Sequence, residues 1–199
     1  MPPILSEIIK FKIAPGFELD SPNFAQLRES AVANGVKEQY YGICMDTPNT
    51  LFWVIQWLAD RGPLESLEFR NAVKVLDVEG TPESYYLPFG DDSLPRPALT
   101  VPLCELCFLH LRDSADREGL AYSLNKTFTD CYYADGFIGG HWSTASNDEN
   151  MNYYYLGWQS RDLHTAFSKT ELFALELGNL MPHMDGGGAY FMKMTQQLN

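Results

Sequence analysis

Apolar and polar positions along the chain switch between a two-residue and a helical period, and the switches recur in one order. Ile4 to Ile13 alternates and is rich in β-branched residues, which predicts a strand. Ala14-Pro15-Gly16 breaks it. Asp20 or Ser21 caps a predicted helix to about Asn34, with Phe24, Leu27 and Val32 on one face. Strands are predicted at Gln39–Met45 and Leu51–Leu58, with the turn Asp46-Thr47-Pro48-Asn49 between them. Gly62-Pro63 opens a second helix to about Val78, and Ser84 to Phe89 reads as a fourth strand.

The order then restarts. Cys104–Leu111 reads as a strand, Ser114 caps a helix to about Asp130, and Phe137–Ser143 and Asn152–Trp158 read as strands about the turn Asn147–Asn150. Ser160 or Asp162 opens one helix to about Leu177. Gly186-Gly187-Gly188 reads as a turn, and Ala189–Thr195 closes the copy. Between the copies, Pro88, Pro95, Pro97 and Pro102 suit an extended connection. Each copy is βαββαβ, the ferredoxin-like order. Anchors hold the two in register: Tyr41-Gly42 over Ile138-Gly139, Trp57 over Trp158, Phe69 over Phe167, and Pro82 over Pro182. The organisation is one unit over 1–90, a linker over 91–101 and a second unit over 102–199.

A sheet with helices on one face has a second face to bury, and two such units can bury that face against each other. In the first strand Leu5, Ile9, Phe11 and Ile13 share a face with Glu7. In the second copy Leu103, Cys107, Leu109 and Leu111 share a face with Glu105. Phe108 and His110 lie on the opposite face.

The segment Trp158-Gln159-Ser160-Arg161-Asp162-Leu163-His164-Thr165-Ala166-Phe167 ends a strand in Trp and continues into a helix carrying His and then Phe. It resembles the antibiotic-biosynthesis-monooxygenase-like domains of the dimeric α/β-barrel superfamily. The segment from Tyr40 to Trp57 resembles them too, in the tandem form common in fungi. The resemblance implies a barrel closed within one chain, as a monomer or a further homodimer. It implies an enzyme of secondary metabolism, free of cofactor and metal; the lack of a leader pattern and the four cysteines, expected to be reduced, point to the cytoplasm. Its reaction would be cyclisation, isomerisation or monooxygenation of a polyketide- or terpenoid-like substrate. A non-catalytic ligand-binding or stress-responsive barrel is the alternative, and a haem-handling barrel stands third.

Charge and motif content narrow the field. The formal charge of −12, with no cluster of Lys and Arg, argues against nucleic acid and anionic membranes as partners. Met1 to Phe11 lacks the pattern of a secretory leader, and no run approaches the ~20 apolar residues of a membrane span. Cys104 and Cys107, three apart on a strand, point to opposite faces and cannot share a metal. No nucleophile elbow, HExxH or Walker pattern occurs.

All four histidines, His110, His141, His164 and His183, fall in the second copy. That asymmetry places the working cavity there. His110 and His141 are the expected acid–base residues, because neutral imidazole exchanges protons near pH 7. Alanine at either would then cut turnover about 10²-fold. Tyr153, Tyr155, Trp158, His164 and Phe108 are the expected walls for a flat, mostly apolar ligand.

Overall fold

The computed structural model describes residues 4–36, 38–60, 62–90 and 96–198. The linker residues 91–95 and the first three residues of the chain lie outside these. The chain divides into two compact units.

The first contains β1 (Ile4–Lys12), α1 (Pro22–Ala33), β2 (Glu38–Ile43), β3 (Thr50–Leu58), α2 (Leu67–Leu76) and β4 (Glu83–Phe89). The second contains α3 (Arg96–Leu99), β5 (Leu103–Leu111), α4 (Arg117–Thr129), β6 (Phe137–Ala145), β7 (Asp148–Trp158), α5 (Arg161–Phe167), α6 (Glu171–Leu180) and β8 (Met184–Met192). A last strand, β9 (Thr195–Leu198), belongs to the first unit. The sheets run β4-β1-β3-β2-β9 and β8-β5-β7-β6, all antiparallel. Apart from β9 the strand order is the same twice, so the chain is an α+β protein of two tandem ferredoxin-like units.

In each unit one sheet face packs on the helices. In the first, Ile9 and Phe11 of β1 and Leu51, Trp53, Ile55 and Trp57 of β3 meet Phe24 and Leu27 of α1 and Phe69 and Val73 of α2. The Phe24 ring stands edge-on to Tyr41 and Trp53 at 5.3 and 5.4 Å. Each such fully buried side chain contributes about 1.5–3 kcal/mol. In the second unit Leu109, Leu111, Tyr154, Leu156, Trp158 and Phe191 meet Leu124, Phe128, Phe167 and Leu180.

Several boundaries differ from the sequence reading, each for a local reason. The helix expected after Gly62-Pro63 begins at Leu67, where the Ser66 hydroxyl accepts the Phe69 amide. The helix expected from Ser114 begins at Arg117, capped by Asp116 on the Gly119 amide. The single helix expected over 160–177 is two: α5 ends at Phe167, and Thr170 caps α6 by accepting the Phe173 amide. The linker expected as extended over 91–101 contains the short α3; its residues 91–95 lie outside the described ones. The Gly186–Gly188 turn is strand: all three glycines lie in β8. A Cβ on Gly188 would stand 3.0 Å from the Phe108 ring, which lies across the strand there. Among the described residues no helix is long and apolar enough to cross a membrane.

Candidate functional site

Position 105 is an acid in a row of apolar residues. Strand parity turns Leu103, Glu105, Cys107 and Leu109 of β5 toward the helices, together with Leu156 and Trp158 of β7. Between this face and α4–α6 lies a cavity of about 430 Å³, a size suited to a small organic molecule. Its walls are largely apolar, including Leu109, Leu156, Phe167, Leu172, Phe173 and Phe191. Glu105, Trp158 and His164 also line it.

These three side chains form one group. The Trp158 indole Nε1–H donates to Glu105 Oε2 at 2.8 Å. His164 Nε2 lies 3.5 Å from the same oxygen. The His164 ring stands edge-on to Trp158 at 5.1 Å and to Phe191 at 4.8 Å. Its Nδ1 is buried with no hydrogen-bond partner among the described residues.

Burial sets the protonation of the group. It pushes the Glu105 carboxyl up to about 7, while the Trp158 hydrogen bond and the positive charge of Arg161 pull the other way. Burial, with the same Arg161 charge, lowers His164 to about 4, so its imidazole is neutral at physiological pH. The Arg161 guanidinium sits 3.4 Å from the centre of the Phe191 ring. Glu105 therefore holds its proton to a higher pH than an exposed carboxyl does, flanked by a neutral imidazole and an indole N–H. That arrangement suits proton exchange with a bound ligand. Cys107 and Cys131 also line the cavity, but burial raises both thiols, which keeps them protonated and poor nucleophiles.

The residues expected from the sequence separate onto different surfaces. Trp158 and His164 are in the group just described. Phe108, Tyr153 and Tyr155 have the opposite parity and face away from the helices; Phe108 packs on Tyr153 at 5.9 Å and on Tyr190 at 6.2 Å. His110 and His141 do not line the cavity. His110 Nδ1 is 2.5 Å from Asp185 Oδ1, and its Nε2 is 3.5 Å from Asp148 Oδ2. The Asp185 hydrogen bond raises its pKa despite some opposing desolvation. The His141 ring stacks on Phe128 at 5.2 Å. The two histidines stand opposite Met151 and Tyr155, four residues apart on β7, which separates them by about 13 Å along the strand. They cannot act together on one small group.

The sequence carries a signal for Glu105. An acid inside an apolar strand face is rare unless it is paired or used, and Glu7 repeats it in the first unit. Among the described residues no three His, Cys, Asp or Glu side chains converge as a metal-ligand set.

No family model and no curated protein matches the sequence. Solved structures are similar in fold. A "putative monooxygenase" from Fusobacterium nucleatum superposes with a TM-score of 0.66 at 10% identity, over 100% of this chain and 95% of that one. A second "putative monooxygenase", from Lactobacillus acidophilus, gives 0.62 at 12% identity over 98% and 96%. An anthrone oxidase-like protein gives 0.67 at 10% identity over 100% and 94%. At such identities the likeness establishes a shared fold across the whole chain.

Proposed function

We propose that the second unit is a cofactor-independent oxygenase acting on a flat, apolar, polyketide- or terpenoid-like substrate that carries an acidic proton. The observation that carries this reading is Glu105: a carboxyl in the wall of an apolar cavity, held by the Trp158 N–H and pushed up by burial to about 7. The full-length fold likeness to proteins named as monooxygenases and as anthrone oxidase-like supports the choice of oxygen chemistry.

In this reading the ionised Glu105 accepts the substrate's acidic proton and the substrate becomes an enolate or phenolate. Trp158 keeps the carboxylate oriented, and the neutral His164 offers a hydrogen bond without adding charge. The apolar walls hold the ring system flat and exclude water. The electron-rich anion then reduces dioxygen, the co-substrate, forming the new C–O bond. For an anthrone-type methylene the balance is CH2 + O2 giving C=O + H2O. The same proton transfer without oxygen would be an isomerisation.

An oxygen electrode with anthrone as probe tests the reading. Enzyme-dependent uptake of one O2 per anthrone is expected, and Glu105→Gln is expected to lower it at least ~10²-fold. Anthrone that binds and turns over with no O2 uptake would move the assignment to isomerisation. Anthrone that binds without turnover would favour a ligand-binding protein.

A further inference from the structure

Both units bury the same glutamate–tryptophan pair, but they complete it differently. In the first, Trp57 Nε1–H donates to Glu7 Oε2 at 2.8 Å, just as Trp158 donates to Glu105. The other oxygen, Glu7 Oε1, accepts from Arg70 Nη1 at 2.6 Å and from the Ser84 hydroxyl at 2.6 Å. That pair is closed by the protein's own donors. Among the described residues, Glu105 Oε1 accepts no hydrogen bond, and Glu105 borders the cavity.

The strand ladders show what has changed. Glu7 stands opposite Tyr86, and Ile9 opposite Ser84. Glu105 stands opposite Phe191, and Cys107 opposite Ala189. Ala189 therefore holds the place of Ser84, and Phe191 that of Tyr86. The second unit lacks the hydroxyl at both places, and both residues line its cavity. Among the described residues no Lys or Arg lines that cavity to replace Arg70.

We propose that Ala189 determines the ligand chemistry of the second unit: by withholding a hydroxyl from Glu105 Oε1, it leaves that oxygen to accept from a phenolic or enolic hydroxyl of the ligand. This rests on the functional reading above and names the group that reading brings to Glu105. The first unit shows the geometry wanted there, a donor on Oε1 opposite the indole on Oε2. An anionic ligand group is disfavoured, because the cavity offers it Glu105 and Glu176 and, among the described residues, no lining cation. A cationic group is disfavoured by Arg161, whose positive charge already acts on Glu105 and His164. A neutral hydroxyl on a flat apolar frame meets neither objection.

Calorimetric titration at pH 8 with three probes tests this: 2-naphthol, its methyl ether 2-methoxynaphthalene, and 2-naphthoate. The naphthol is expected to bind about tenfold or more tighter than the ether, because the ether leaves a buried acceptor unpaired. The naphthoate is expected to bind no better than the ether. Ala189→Ser should abolish the naphthol's advantage while leaving ether binding within about threefold. Ala189→Gly should keep the advantage, and Ser84→Ala in the first unit should leave all three affinities unchanged. Equal binding of naphthol and ether to the wild-type protein overturns the proposal and needs no variant, so a folding failure of Ala189→Ser cannot shield it. Survival of the naphthol's advantage in Ala189→Ser also overturns it. In both cases the cavity reading stands, because the probes still bind. Failure of all three probes to bind overturns the cavity reading and this proposal with it.

Discussion

Glu105 and His164 share one oxygen contact yet respond to pH in opposite senses. The folded protein keeps the Glu105 proton up to about pH 7, whereas an exposed carboxyl releases it near 4.5. Between those values the folded state binds more protons, so this group's contribution to stability falls as the pH rises through the window. His164 is neutral in the fold down to about pH 4, while in the unfolded chain it protonates below about 6.5. Its contribution therefore rises with pH between 4 and 6.5. The two oppose each other up to about pH 6.5. Glu105→Gln should unmask the His164 term: the melting temperature of the variant is expected to climb from pH 4 to 6.5 more steeply than that of the wild type. The activity profile should rise with an apparent pKa near 7 that the variant lacks. A second residue-scale prediction concerns the first unit, where Arg70 is the cation paired with the fully buried Glu7. Arg70→Met leaves that acid buried without its partner, and chemical denaturation should show a loss of about 3–5 kcal/mol. Trp158 and His164 were legible in the sequence because they sit in a recognisable segment. Glu105 was legible only as an oddity of alternation. The cavity joins residues more than fifty positions apart, and parity alone does not say which sheet face the helices cover.

At the scale of elements, strands were easier to read than helix ends. Alternation locates β1, β5 and β7, and a continuous apolar run locates β3, to within a few residues, because their apolar faces are packed. Helix limits depend on which polar residue wins the cap. In the second unit the sequence reading offers Ser160 or Asp162 for a single helix, whereas Ser160 caps α5 and Thr170 caps a separate α6. Thr170→Ala removes the acceptor for the Phe173 amide and should cost about 1 kcal/mol in a denaturant titration. It should also disturb the wall of the cavity that Leu172 and Phe173 supply, so ligand affinity should fall with it. The glycines of β8 misled for the opposite reason. Glycine ordinarily marks a turn, but here Gly188 lets the Phe108 ring lie across a neighbouring strand. Gly188→Val should meet that ring and destabilise by about 1–3 kcal/mol, measurable as a lowered melting temperature. β9 gave no signal, because Thr195-Gln196-Gln197 carries neither alternation nor β-branched density beyond its first residue.

At the scale of the whole molecule, β9 matters most. It pairs antiparallel with β2, Tyr41 to Thr195 through Glu38 to Leu198. Gln196 donates to the Tyr40 hydroxyl at 3.1 Å, and Gln197 accepts from Arg28 at 3.0 Å. The expectation that all residues after 102 belong to the second unit is corrected for these last ones: their backbone groups complete the exposed edge of the first sheet. Removing residues 194–199 should speed amide exchange in β2 by at least tenfold and leave β5–β8 unchanged, a comparison that hydrogen-exchange mass spectrometry makes directly. Because β9 follows the second unit in sequence but belongs to the first, the second unit is an insertion between two strands of one sheet. A ribosome synthesising this chain emits β2 more than 150 residues before the strand that covers it. The first sheet therefore waits with an open edge through the synthesis of the entire second unit, and it is during translation that the chain is most exposed to strand pairing with its neighbours on the same message.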